Sequence, residues 1–147
     1  MTIYTIGFTK KTAEQFFETL KASAIELLID IRLNNRSQLA GFTKDGDIQY
    51  FLNHLCGIDY IHCEEFAPSK ELLSGYQKKE ISWEDYEKEY ARIMEKRDAC
   101  HKFLNRFSDR ERICLLCSEP TPEHCHRRLF AEMIVQNSET PIKIRHL

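Results

Sequence analysis

Short apolar runs alternate with stretches whose apolar positions recur every three to four residues, and this alternation continues from one end of the chain to the other. Ile3, Tyr4, Thr5 and Ile6 form the first run and stop at Gly7, where a turn can begin. Thr12 and Gln15 make a capping-box pattern, and Phe16, Phe17 and Leu20 then repeat as one helical face to about Ser23. Leu27 to Ile31 is apolar apart from Asp30, as in a strand covered on both faces. Ile48, Phe51, Leu52 and Leu55 stand at i, i+3, i+4 and i+7 with Gly57 in the place of a C-cap, which predicts a second helix. Residues 59–63 read as a third strand, and Pro68 with Ser69 opens a brief helix carrying Leu72, Leu73 and Tyr76. Ser82 and Asp85 start the longest helical pattern, with Tyr86, Tyr90, Ile93, Met94, Leu104 and Phe107 in its stripe and a bend between Arg97 and His101. A strand over 113–117, a helix from about Glu123 to Gln136, and a strand over 142–145 after Pro141 complete the series.

Strands separated by helices imply right-handed crossovers. The expected fold is therefore three-layer α/β: a mostly parallel sheet of about five strands with helices on both faces. No internal repeat or linker composition divides the chain, so residues 1–147 read as a single domain. In such sheets ligands sit beyond the carboxyl ends of the strands. Four polar loops should meet there, beginning at Gly7-Phe8-Thr9, Arg32 to Ser37, Cys63-Glu64-Glu65 and Cys117-Ser118-Glu119.

Composition narrows the classes. The 147 residues are 42% hydrophobic and 11% aromatic, enough for a continuous core and not the makeup of a disordered chain. A formal charge of −2 with 30% charged residues describes a mixed surface that demands neither a nucleic acid nor a membrane. No run approaches the roughly 20 apolar residues of a membrane span, and the N-terminus lacks a basic-then-apolar leader, so a cytoplasmic protein with no membrane partner is expected. On the same compartment logic the six cysteines are expected to be reduced thiols.

The chemistry concentrates between the last apolar strand and the last helix, in the run Cys117-Ser118-Glu119-Pro120-Thr121-Pro122-Glu123-His124-Cys125-His126-Arg127-Arg128. Cys117 ends a strand just before a helix, so the helix dipole and Arg127 or Arg128 would favour its thiolate, with Glu119 or His126 to move a proton. The plainer reading is that Cys117 is a small buried residue, as free cysteines commonly are. A phosphatase-type loop needs arginine after five intervening residues, whereas Glu123 stands at that position. A metal held by Cys117, Cys125 and His126, with Cys63 or His62, is the other chemical option. Two features speak against it: Cys114 and Cys117 face opposite sides of a strand, and Cys125 and His126 as helical neighbours would diverge by about 100°. No metal ligand set is therefore assigned, and no cofactor motif is legible.

Arg32, Arg36, Ser37, Arg127 and Arg128 suggest an anion subsite, since guanidinium groups grip phosphate or carboxylate bidentately. Arg32 and Arg127 are the stronger candidates; Arg36 and Arg128 read as surface residues. Asp30 inside an apolar strand must find partners, and it could orient Arg32. Glu64, Glu65 and His62 read as loop and half-buried groups, and Trp83, Tyr86 and Tyr90 at helical spacing read as core or interface.

Three stretches together resemble the DUF488 family: Tyr4-Thr5-Ile6-Gly7-Phe8-Thr9, Asp30-Ile31-Arg32 with Ser37, and Leu116-Cys117-Ser118-Glu119 followed by Pro122 and Cys125-His126-Arg127-Arg128. The likeness runs over essentially the whole chain. Members commonly read TIGHS where this chain has Thr5-Ile6-Gly7-Phe8-Thr9, so Phe8 stands for a histidine and Thr9 for a serine. Asn34-Asn35 replaces a loop proline, and Ser37-Gln38-Leu39-Ala40-Gly41-Phe42 marks a subgroup. The family name denotes a domain of unknown function, so the resemblance implies the fold and a pocket. Two functions fit these residues. One is a small enzyme with Cys117, Glu119 and His126 as catalytic groups and Gly7, Thr9, Arg32, Ser37 and Arg127 holding an anionic or nucleotide-like substrate. The other is a non-catalytic module that binds a phosphate-bearing small molecule, a nucleic acid or a protein, with structural cysteines.

Overall fold

A computed structural model of the chain describes residues 1–37 and 40–147. Five strands, β1 (Thr2–Gly7), β2 (Leu27–Asp30), β3 (Asp59–His62), β4 (Arg112–Cys117) and β5 (Lys143–His146), form one sheet in the order β3-β2-β4-β1-β5. Every pairing is parallel, as expected of strands joined through helices. The helices are α1 (Ala13–Ala22), α2 (Asp47–Tyr50, continued by a π-helical turn over Phe51–Cys56), α3 (Lys70–Gln77), α4 (Trp83–Lys96), α5 (Ala99–Phe107) and α6 (His126–Asn137).

The period-two alternation of β4 explains the three layers. Ile113 and Leu115 face a core shared with Tyr86, Tyr90, Phe103 and Phe130 of α4, α5 and α6. Cys114 and Leu116 face the opposite core with Phe16 and Leu20 of α1 and Ile48 and Leu52 of the α2 segment. Cys117 continues the first of these faces, so its side chain belongs to the α4–α6 side.

Local signals end the helices where the sequence places them. Thr12 and Gln15 form the full capping box of α1, and Ser69 and Ser82 accept from the backbone of Leu72 and Asp85 at the starts of α3 and α4. The bend after Arg97 is a break: Asp98 takes a left-handed conformation, φ 55°, between α4 and α5. Two expectations need correction. Leu55 is 62% exposed rather than part of the α2 face, because π winding turns less per residue and carries it off the stripe. The last helix begins at His126, not near Glu123; Cys125 is its N-cap, in extended backbone with φ −141° and ψ 138°.

Strand order decides where a ligand can enter. The chain moves one way across the sheet from β1 through β2 to β3, then reverses to β4 and β5, so β4 is flanked by strands whose onward helices lie on the other face. The loops leaving β2 and β4 separate there and leave a crevice, as at the switch points of other parallel sheets. Among the described residues no helix is long and apolar enough to cross a membrane.

Candidate functional site

That crevice holds a cavity of roughly 690 Å³. Its floor is Cys117, Cys125 and His126; one wall is Arg32, Leu33, Asn34 and Ser37 after β2; the other comes from α3 and the start of α4, with Tyr76, Trp83 and Tyr86. Trp83 stacks on Tyr86 at 4.9 Å between ring centres and meets the His124 ring at 5.0 Å. Ser118, Glu119 and Lys79 reach the same opening.

The floor is built around His126. Its Nε2 lies 2.7 Å from the carbonyl oxygen of Ile31, which can only accept, so Nε2 carries the proton. In the neutral ring Nδ1 then presents a lone pair, and it points at Cys117 Sγ, 3.6 Å away. Burial, reinforced by the Arg127 charge, pushes the imidazole down to about 4, so the ring is neutral over the physiological range.

The two floor cysteines, Cys117 and Cys125, meet sulfur to sulfur as a disulfide pair with their Cα atoms 7.2 Å apart, whereas the compartment reading expects both as reduced thiols. Cys56, Cys63, Cys100 and Cys114 are free. The pairing depends on the loop from Ser118 to His124 folding back so that the N-cap of α6 meets the end of β4. The same turn overturns the argument that Cys125 and His126 must diverge. Cys125 precedes the helix, and its sulfur, that of Cys117 and a ring nitrogen of His126 all lie within 4.8 Å of one another.

The two candidate arginines have different surroundings. Arg32 donates from Nε and Nη2 to the two carboxylate oxygens of Asp30 at 2.8 and 2.7 Å, and its remaining contacts go to Thr43. Asp30 also accepts from Tyr60 at 2.7 Å, so the buried carboxylate has its partners. Burial and the Asp30 charge raise the Tyr60 phenol well above its ordinary value. Phe8 lies 5.1 Å from the Arg32 guanidinium and covers it. Arg32 thus borders the cavity with its charge committed to the protein.

Arg127 is fully buried and does not line the cavity. Its Nη1 donates to the Glu119 carbonyl at 2.6 Å and approaches Cys125 Sγ at 3.6 Å. Its Nε and Nη2 have no hydrogen-bond partner among the described residues. Burial lowers its pKa, as removal from water disfavours the charge. Arg128 instead pairs with Glu87 and Glu132, joining α6 to α4.

The remaining candidates shape the loop over the floor. A β-carbon on Gly7 would overlap the Glu119 carbonyl, so only glycine lets that loop cross β1. Thr9 holds the loop from above, donating from its hydroxyl and its backbone N–H to the Ser118 carbonyl at 2.5 and 3.2 Å. Cys117, Glu119, His126, Arg32 and Ser37 therefore share the cavity, and Gly7, Thr9 and Arg127 lie beneath or behind it. Gln38 and Leu39 of the Ser37 to Phe42 run lie outside the described residues. Sequence reasoning read Trp83 and Tyr86 as core or interface, placed Tyr76 on a brief helix, included His124 in the Cys117 to Arg128 run without giving it a role, and did not single out Lys79. The i, i+3 spacing of Trp83 and Tyr86 was the available signal, but it marks a helix face without saying what faces it.

No curated relative and no solved structure matches the chain. A family model described as "Domain of unknown function DUF488" matches residues 12–134, a span that takes in the cavity floor and the Asp30-Ile31-Arg32 turn and leaves β1 outside. The chain belongs to the DUF488 family.

Proposed function

We propose that the protein is a small thiol enzyme that transfers two electrons from the Cys117 and Cys125 pair to a disulfide in an anionic, ring-bearing substrate. The observation that carries the reading is the floor: two cysteine sulfurs within bonding reach, a neutral imidazole nitrogen 3.6 Å from one of them, and a cavity opening above. In the dithiol form the Cys117 thiol donates to Nδ1 of His126, and as Sγ attacks the substrate disulfide its proton passes to that nitrogen. Negative charge growing on the sulfur raises the basicity of the ring at that moment. One substrate thiolate leaves, and a mixed disulfide forms on Cys117. Cys125, whose thiolate is favoured by Arg127 and the N-terminus of α6, then attacks Cys117 Sγ, closes the protein disulfide and releases the second substrate thiolate. An external dithiol restores the reduced pair.

Tyr76, Trp83 and His124 offer ring faces to the substrate, and Lys79 offers a cation at the opening. Glu119 stands at the rim, placed to exchange protons with solvent. The competing reading is a binding module with a structural disulfide, and it draws on the burial of the two residues, Cys117 4% and Cys125 2% exposed.

An aromatic dicarboxylate disulfide of the nitrobenzoate type tests the choice, in a Cys56→Ser background that removes the most accessible free thiol. Reduced protein should release two chromophoric thiolates per chain and end as the Cys117–Cys125 disulfide, whereas Cys125→Ser should release one and keep the adduct on Cys117. Cys63 and Cys100, both pushed up to about 11 by burial, should remain unmodified. Reduced protein whose Cys117 reacts no faster than those two would sink the enzyme reading in favour of the binding module.

A further inference from the structure

We propose that the reduced floor, Cys117, Cys125 and His126, binds a zinc-class divalent cation through two thiolates and one imidazole, with a fourth position facing the cavity, and that closing the disulfide expels the ion. The inference concerns the site assigned above to thiol chemistry and rests on that reading only in requiring that the cysteine pair be reducible.

Three independent features support it. The first is spacing. Zinc bonds of about 2.3 Å to sulfur and about 2.0 Å to nitrogen at a tetrahedral angle put the two ligand atoms roughly 3.5 Å apart. Cys117 Sγ and His126 Nδ1 are 3.6 Å apart. The sulfurs need only part to roughly 3.8 Å to satisfy the same geometry. The second is the outer shell. His126 is held by its Nε2 on the Ile31 carbonyl, which leaves Nδ1 as the ligating nitrogen, and Arg127 Nη1 is directed at Cys125 Sγ. Ligating histidines and thiolates are oriented by such partners. The third is charge. Arg127 is fully buried, its Nε and Nη2 have no hydrogen-bond partner among the described residues, and Glu119 and Glu123 act on it without pairing with it, so the disulfide form leaves the cation without a counter-charge in contact. Two thiolates beside it supply one, and the divalent ion between them keeps the dithiolate from being over-charged.

The donor set chooses the ion. Two soft sulfurs and an imidazole suit zinc rather than magnesium or calcium, which require oxygen ligands. Three protein ligands with the fourth position turned toward a cavity describe an open site rather than a closed structural one. Oxidation by a diazene such as diamide moves two electrons from the thiolates into the N=N bond, which takes up two solvent protons. The sulfurs join, and no thiolate remains to hold the ion.

Cobalt(II) is the probe, because thiolate ligation gives it a near-ultraviolet charge-transfer band and tetrahedral geometry gives strong visible bands. Protein reduced under argon should take up one cobalt per chain with both signatures, zinc should displace it, and diamide should release it in step with disulfide formation. Cys117→Ser and Cys125→Ser should each weaken binding more than tenfold, and Cys114→Ser, on the opposite face, should leave the spectrum unchanged. The comparison of reduced and oxidised wild-type protein needs no variant, so a misfolded mutant does not obscure the result. Absence of the charge-transfer band in reduced wild-type protein would overturn the inference, as would a band that survives in both serine variants. Failure of cobalt binding with normal disulfide reduction removes the metal alone; cobalt binding by protein inert to the aromatic disulfide removes the enzyme reading alone.

Discussion

Acid should unfold this protein through His126 before it reaches the carboxylates. The ring is buried in the floor of the cavity, where it faces Cys117, the Arg127 and Asp30 charges and the Tyr90 ring. Its ordinary value of 6.5 falls to about 4 in the folded chain, chiefly because burial penalises the charged ring. The unfolded state therefore binds the proton first. Stability from the neutral ring is complete above about pH 6.5 and is lost as the pH falls toward 4. A gap of about 2.5 pH units at 1.36 kcal/mol each amounts to about 3 kcal/mol, of which about 2 kcal/mol should be gone by about pH 5. That is a large fraction of the stability of a domain this size. The assay is urea unfolding of the disulfide form at about pH 7 and about pH 5, wild type against His126→Asn, with the imidazole resonances followed by NMR. His146 is also held below its ordinary value by burial and by Arg127, so the difference between the two proteins, rather than the raw slope, carries the test. Equal acid losses in both proteins, or a His126 resonance that titrates near 6.5 in the folded state, would refute the reasoning.

Gly7→Ala should destabilise by ~1–3 kcal/mol, because the new methyl group would overlap the Glu119 carbonyl and stand 2.8 Å from Arg127 Nη1; a lower urea midpoint together with a changed rate of disulfide reduction is the expected result. Asp30→Asn leaves the Arg32 guanidinium buried without its carboxylate and should cost ~3–5 kcal/mol in equilibrium unfolding, whereas a loss under ~1 kcal/mol would mean that the pair behaves as a solvated one.

Much of the architecture was legible because burial leaves a local, periodic trace. Alternating faces on β4, the Thr12 capping box and the Gly57 C-cap at φ 67° each depend on neighbours a few residues away. Strand and helix alternation placed Cys117, Glu119, His126, Arg32 and Ser37 in one cavity at the strand ends, whereas Cys63, Glu64 and Glu65 of the β3 loop, expected beside them, do not line it. The limits were local too. Leu55 fits a helical stripe, and only the π-helical turn moves it into solvent.

Partner choice was not legible, and the two arginines show why. In sequence Arg32 and Arg127 are equivalent candidates for an anion. In the fold Arg32 turns back on Asp30, two residues earlier, and reaches Thr43, whereas Arg127 meets a backbone carbonyl and a sulfur. The bond between Cys117 and Cys125, eight residues apart, requires a loop that only Gly7, on a different strand, allows. His126 takes its tautomer from Ile31, 95 residues away, across the β2 and β4 pairing. Hydrophobic periodicity by itself determined which residues form strands and helices and which loops share an edge, since each such choice is settled by burial of a face. Which charges are spent, which sulfurs meet and which ring nitrogen is free were decided only by the tertiary structure, because the order β3-β2-β4-β1-β5 sets neighbours that no local pattern encodes.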